Sequence, residues 1–204
     1  IPDSVTSIGV ESFYDCDNLK NIEFGKGLNQ ISNYAFYSCD KLKNIEFGEN
    51  ISLIGERAFS ECSSLESVAF SDSSTPLHIG NYSFYNCDAL KEIVLCAGVN
   101  EMAEYAFGDC GNLRKVVSKA AVPPVIKSNT FNNSQISLVY VPSGSGNAYR
   151  AASYWNNFLI IDGEGLAVEV TLTQAGTLGE KLLEQVEYLN AINILKVTGP
   201  INDD

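Results

Sequence analysis

The sequence repeats itself, and this repeat restricts the possible folds more than any other feature of the chain. Each copy reads apolar-x-x-x-[Ala/Ser]-Phe-x-x-Cys-x-x-Leu-x-x-[Ile/Val]-x-[Phe/Leu/Val]. Successive copies begin 23 to 25 residues apart, and the extra length of one copy comes from a short insertion around residues 73–76. The recurring aromatic residues are Phe13, Phe36, Phe59, Phe84 and Phe107, and Phe131 opens a degenerate sixth copy. A period in the twenties predicts a solenoid.

The end of each copy has the alternation of a β-strand. In the first copy, Leu19, Ile22 and Phe24 are apolar and the residues between them are polar. We expect these strands to stack in parallel, roughly 4.8 Å apart. The segment before each strand, such as residues 34–37, is expected to form a single helical turn on the convex side. One repeat cannot bury its own apolar side, so the core depends on stacking.

These residues resemble a known family, the BspA-type leucine-rich repeat proteins. The resemblance rests on residues 5–9 followed by Phe13, Cys16 and Leu19. Residues 122–124, Phe131 and residues 138–155 are similar to the closing unit of such arrays. The resemblance covers residues 1–162 and implies a right-handed α/β solenoid of about six repeats. It also implies a secreted or cell-surface protein without enzymatic activity, of the kind found in Bacteroides-type bacteria and associated with adhesion or protein binding.

The period stops after residue 162, and a second unit is expected over residues 163–204. Residues 168–172 and 192–197 alternate like strands, and residues 178–189 place apolar side chains on one helical face. The pattern predicts a small β-α-β module, which resembles a module found beside repeat arrays in similar surface proteins. The chain opens in mid-repeat at Ile1, so we expect it to have been cut from something longer.

The net charge argues against a nucleic-acid partner, and the hydropathy argues against a membrane-spanning helix. The formal charge of −12 would repel a nucleic-acid backbone. No apolar run approaches the roughly 20 residues that a membrane-spanning helix needs. The oligomeric state is left open by the sequence.

One cysteine occupies the same position in each of the five clear copies: Cys16, Cys39, Cys62, Cys87 and Cys110. Metal or redox chemistry is one interpretation. The other, which we favour, is a small buried side chain whose thiol donates a hydrogen bond to a backbone carbonyl. We therefore predict reduced thiols, with no metal and no cofactor. Cys96 lies outside this row and is expected to be more exposed.

The remaining candidates for chemistry are weak. His78 is the one histidine, is expected in the insertion loop, and lacks the motif that positions a nucleophile. Glu23 and Glu46 would lie about one strand spacing apart, close to the separation in retaining glycosidases, but the repeat itself imposes this spacing. An acidic rim, which includes Asp15 and Asp109, lacks a calcium-binding loop. We predict no catalytic residues.

Outward-facing strand residues are the favoured binding surface, because solenoids bind through such surfaces. Early strands present Glu23 and Glu46, whereas later ones present apolar and basic residues. The hypothetical site consists of Lys91, Val94, Arg114, Lys115 and Val117. The alternative site is a row of tyrosines on the convex side: Tyr34, Tyr82 and Tyr105. A protein partner is favoured over a glycan, and a structural spacer without a ligand is the alternative function.

Overall fold

A computed structural model describes residues 1–163 and the backbone of Leu166–Thr171 and Ile192–Thr198. Helical elements of this part include α1 (Gly146–Ala151) and a 3-10 helix, Trp155–Asn157. Its strands, in chain order, are β1 (Ser7–Ile8), β2 (Gln30–Ile31), β3 (Asn44–Phe47), β4 (Leu53–Ile54), β5 (Ser67–Phe70), β6 (Leu77–Ile79), β7 (Glu92–Leu95), β8 (Val99–Met102), β9 (Lys115–Ser118), β10 (Leu138–Val141), β11 (Ile160–Asp162), β12 (Leu166–Thr171) and β13 (Ile192–Thr198).

The repeats stack as a parallel solenoid, which confirms the predicted fold class. One sheet contains the strands expected from the repeat, in the order β11-β10-β9-β7-β5-β3. A second sheet, in the order β1-β2-β4-β6-β8, was not expected. All its pairings are parallel, and its strands are as short as two residues. The first copy has no strand at residues 19–24, and its Leu19, Ile22 and Phe24 are only partly buried.

The recurring phenylalanines stack in one continuous row through the core. Ring centroids of successive members lie 4.8 to 5.8 Å apart, and their planes are inclined by 3° to 17°. Phe36, Phe59, Phe84 and Phe107 are fully buried, whereas Phe13 at the end of the array is partly exposed. A constant period returns each ring to the same orientation, so each ring inside the row is covered by its neighbours on both sides.

The segments expected to be helical turns are instead tight turns linked to the next repeat. Tyr34 and Ser38 have φ values of 57°, and the equivalent positions of the other copies are also left-handed. The N–H of Tyr34 donates to the Glu56 carbonyl at 2.9 Å, and that of Ser38 donates to the Ser60 carbonyl at 2.9 Å. A left-handed residue interrupts an α-helix. It also directs these donors along the solenoid, so neighbouring repeats satisfy one another.

Residues after the fifth copy close the core with larger side chains. Tyr149 and Trp155 are fully buried and pack edge to face, with ring centroids 5.3 Å apart. The indole N–H of Trp155 donates to the Pro124 carbonyl at 2.7 Å, and the Tyr149 hydroxyl donates to the Ala120 carbonyl at 2.8 Å. The polar atoms of these large residues are therefore satisfied inside the core.

The two strands expected in the second unit pair with each other. β12 and β13 form a parallel two-stranded sheet. The helix expected over residues 178–189 lies outside the described residues. The division at residue 162 therefore stays a prediction.

The phenylalanine row generates a stability prediction. Phe59→Ala removes a ring that contacts two neighbouring rings, and we expect it to lower the free energy of unfolding by about 3–5 kcal/mol. Phe13→Ala is the matched control, because Phe13 is partly exposed and stacks on one ring of the row. Its cost should be clearly smaller. Equal losses in chemical denaturation would contradict the stacked core.

Candidate functional site

The outward side chains of the later strands form a continuous apolar strip, which we call the apolar band. It consists of Ala69, Val94, Val117 and Tyr140. Ala69 is paired in register with Val94, Val94 with Val117, and Val117 with Tyr140. All four are partly exposed, while the residues on either side of them in each strand are buried. The structure thus brings Val94 and Val117 of the hypothetical site side by side.

Cationic residues flank the apolar band. Lys115 Nζ lies 3.0 Å from Glu92 Oε1 and 5.2 Å from the centre of the Tyr140 ring. Lys91 and Arg114 are exposed neighbours, joined through the Arg114 N–H and the Lys91 carbonyl at 3.0 Å. All five residues of the hypothetical site therefore lie in one region of the sheet. We call this region, together with Lys119 and the apolar band, the late strand face.

A concave surface adjoins the end of the apolar band. Its lining consists of Lys115, Val117, Ser118, Lys119, Tyr140, Val141, Pro142, Ser143 and Gly163. Lys119 on its margin forms an ion pair with Asp72, which belongs to the insertion two repeats away. Ser118 replaces the apolar residue of earlier copies at its position, and its hydroxyl contacts the Tyr149 hydroxyl at 2.7 Å. The floor of the concavity is therefore anchored to the buried closing unit.

Lys115 and Val117 were predicted from the sequence, whereas the other lining residues, among them Tyr140, Lys119 and Pro142, were missed. A signal for Tyr140 was present, since residues 138–141 alternate in the same way as the earlier strands. Counting from Val117 by the repeat would have placed Tyr140 in the outward row. Lys119 and Pro142 follow their strands, where alternation gives no information about direction.

The early part of the same sheet has a different chemistry. Glu23 and Glu46 are exposed, and residues around them are polar. The Ser67 hydroxyl donates to Asn44 Oδ1 at 2.8 Å, and Lys43 Nζ lies 3.7 Å from Glu66 Oε1. These contacts are typical of a hydrated surface. Nothing in them positions Glu23 or Glu46 for acid–base chemistry.

The tyrosines of the alternative site are largely engaged with one another. Tyr82 stacks on Tyr105 with centroids 4.9 Å apart, and the Arg57 guanidinium lies 4.4 Å from the Tyr82 ring centre. The ring centroids of Tyr34 and Tyr37 lie 5.7 Å apart, and the Tyr37 ring in turn stacks on Tyr14. This side is therefore a packed surface in which ring faces are partly covered.

The cysteine row lies behind the turns and satisfies backbone carbonyls. The thiols of Cys39, Cys62, Cys87 and Cys110 donate at 3.1 to 3.3 Å to the phenylalanine carbonyls of the preceding repeats. These four are fully buried, whereas Cys16 is partly exposed. Burial, reinforced by a hydrogen bond with Cys110, raises the pKa of Cys87 well above its ordinary value. The row therefore has the contacts of a structural element.

Two expectations about single residues are wrong. Cys96, expected to be exposed, is buried and only 2% accessible, because it directly continues the strand β7 into the core. His78 lies within β6, not in the insertion loop, and its Nδ1 is 3.3 Å from Glu101 Oε2. Its strand pairs with β4 and β8, so the imidazole lies in a row of sheet residues.

The acidic rim is occupied by hydrogen bonds between neighbouring repeats. The Tyr85 hydroxyl donates to Asp109, and this hydrogen bond, together with burial, raises the pKa of Tyr85 to about 12. Asn133 Nδ2 donates to Asp109 Oδ1 at 2.6 Å, and Asn86 Nδ2 donates to Glu61 Oε2 at 2.6 Å. Among the described residues, no group of three or more potential ligands is arranged to hold a metal ion. In the same part of the chain, no helix is long and apolar enough to cross a bilayer.

Comparisons with known proteins agree with this architecture. The family model for the BspA type leucine-rich repeat region matches residues 1–114 and 73–158, in 6 copies. A leucine-rich repeat protein of T. pallidum has a similar structure, with 27% identity and a TM-score of 0.54; the match covers 76% of this chain and 65% of that protein. A leucine-rich repeat protein from Eubacterium ventriosum gives 21% identity and a TM-score of 0.55, covering 67% of this chain and 42% of that protein. The chain thus spans less than two thirds of either. The comparison with curated proteins gave no match.

The thiol contacts generate a prediction about reactivity. In the native protein we expect fast reaction with a thiol reagent at Cys16, because Cys16 is partly exposed whereas the other five thiols are buried out of reach of the reagent. Cys16→Ser should remove this fast phase. All six cysteines should react once the untreated protein is unfolded without a reductant. A count below six in the unfolded protein would indicate a disulfide or a bound metal.

Proposed function

Because the chain belongs to the BspA-type leucine-rich repeat family, we propose that it is a non-enzymatic recognition module that binds a protein partner. Members of this family are generally repeat proteins without catalytic activity. The proposal includes a location outside the cell, secreted or on the outer surface, and a role in adhesion is its biological extension.

The observation that carries the proposal is the apolar band. Val94, Val117 and Tyr140 are neighbours paired in register on a parallel sheet and leave apolar area accessible beside charged residues. Partly exposed apolar centres with polar margins are typical of protein interfaces. The side chains project from a hydrogen-bonded sheet, so they lose little conformational entropy when a partner covers them.

A glycan partner is less well supported by the same surface. Sugars commonly pack on an open aromatic face, but the Lys115 ammonium lies over the Tyr140 ring at 5.2 Å. The rings of Tyr82 and Tyr105 likewise stack on each other. A spacer without a ligand would require no accessible apolar strip, so the apolar band favours binding over that alternative.

Paired substitutions test which side binds. The purified chain, a Val94→Glu/Val117→Glu variant and a Tyr34→Ala/Tyr82→Ala variant would be applied to an array of extracellular proteins. We expect the chain to retain a few proteins. The two valine substitutions should reduce the binding free energy of these proteins by about 2 kcal/mol or more, which is roughly a thirtyfold loss of affinity. The tyrosine pair should bind normally.

Thermal unfolding of both variants controls for folding, since the four residues are partly exposed in the native protein. Loss of binding in the tyrosine pair alone would move the site to the turns. Absence of any bound protein would favour the spacer.

A further inference from the structure

Positive charge is concentrated on the late strand face of an otherwise acidic protein. The chain contains 13 Lys and Arg residues and has a net charge of −12. Four of these cations surround the apolar band: Lys91, Arg114, Lys115 and Lys119. Lys115 is paired with Glu92 and Lys119 with Asp72. In the part of the chain that the structure describes, Lys91 and Arg114 form no ion pair.

The shape of this region adds a place for a side chain. Val117, Tyr140, Val141 and Pro142 contribute apolar atoms to the concavity, while Lys115 and Lys119 lie on its margins. Lys115 and Lys119 bracket Val117 along the same segment of chain, two residues away on either side. An apolar group in this concavity would therefore have cations on two sides.

We propose that the late strand face receives an extended, acidic segment of the partner. One apolar side chain of the segment enters the concavity over Val117 and Tyr140. The carboxylates of the segment lie against Lys91 and Arg114 on one margin of the face and against Lys119 on the other. This inference rests on the proposed function and specifies the chemistry of the partner.

The dimensions of the apolar band suit such a segment. From Ala69 to Tyr140 it crosses four adjacent strands. Three strand spacings amount to about 14 Å, a length that about four residues of extended chain cover. The remaining residues of a short peptide reach the flanking cations. A peptide of roughly eight residues therefore contains the whole recognition element.

Charge sets the direction in which the partner can extend. The equivalent outward positions of the first two copies carry Glu23 and Glu46, which would repel an acidic segment. Acidic residues of the partner are therefore confined to the later repeats. A sulfated glycan would satisfy the cations but would leave the apolar concavity without a matching group, so a peptide satisfies more of the surface.

A peptide-display selection on the whole chain tests the proposal. A random peptide library would be selected against the immobilised chain, and the affinities of the most enriched peptides measured by fluorescence anisotropy. We expect peptides in which Asp or Glu flanks a large apolar residue. Raising the salt from about 0.1 M to about 1 M shortens the Debye length from about 10 Å to about 3 Å, and this should lower the affinity of these peptides.

Two charge-reversal variants provide a matched comparison. Lys91→Glu/Arg114→Glu and Lys20→Glu/Lys43→Glu reverse two positive charges each in the same outward row, at exposed positions. The late pair should weaken the selected peptides by at least about tenfold through like-charge repulsion. The early pair should leave affinity within about twofold. The strand that follows Lys43 is three strand spacings, about 14 Å, from that of Val117, and Lys20 is farther still, whereas the Debye length at 0.1 M salt is about 10 Å.

The outcomes separate this inference from the function on which it rests. If the selected peptides are neutral or basic and do not bind Val94→Glu/Val117→Glu, the proposal of an acidic partner is overturned, but the late strand face remains the binding surface. Peptides unaffected by that valine pair would overturn both. If no peptide is enriched while immobilised heparin retains the chain through Lys91 and Arg114, the occupant is an anionic glycan and the inference fails. If no peptide is enriched and heparin does not retain the chain, the inference is also contradicted.

Discussion

The structure depends on backbone hydrogen bonds that run from each repeat to the next. In the first four copies, left-handed residues such as Tyr34 and Ser38 donate their N–H groups to carbonyls of the following copy. A left-handed conformation costs roughly 1–2 kcal/mol for a residue with a side chain, so these turns are stable only when the neighbouring repeat supplies the acceptor. The repeat length keeps these donors and acceptors aligned. The phenylalanine row and the thiol–carbonyl contacts are consequences of the same alignment.

The inward and outward side chains of each strand are under different constraints. Inward residues such as Ile45 and Val68 must pack on their equivalents in the neighbouring strands, and they hardly vary in size. Outward positions are free of this requirement, and one row changes from Glu46 through Ala69 to Val94 and Tyr140. A rigid array can therefore carry a graded surface without altering its core. Recognition in such a protein is determined by the outward row.

Much of the fold could be predicted from the repeat, but several features of the site could not. Stacked rings and parallel strands follow from a period that returns each residue to the same orientation. The second sheet was missed because two-residue strands such as Ser7–Ile8 contain no alternation to detect. The turns were mistaken for helix because Tyr34 and Arg57 are not residues that usually adopt positive φ. Val94 and Val117 were found by alternation, whereas Lys119 and Pro142 join the site only through the path of the chain after each strand.

Lysine reactivity in the presence of a bound peptide tests the central claim, that recognition is confined to the late strand face. The chain would be acetylated briefly with and without the most enriched acidic peptide, and the modification of each lysine measured by mass spectrometry. We expect protection of Lys91, Lys115 and Lys119, with unchanged modification of Lys20 and Lys43. Equal protection of early and late lysines, or protection of the early ones alone, would contradict it.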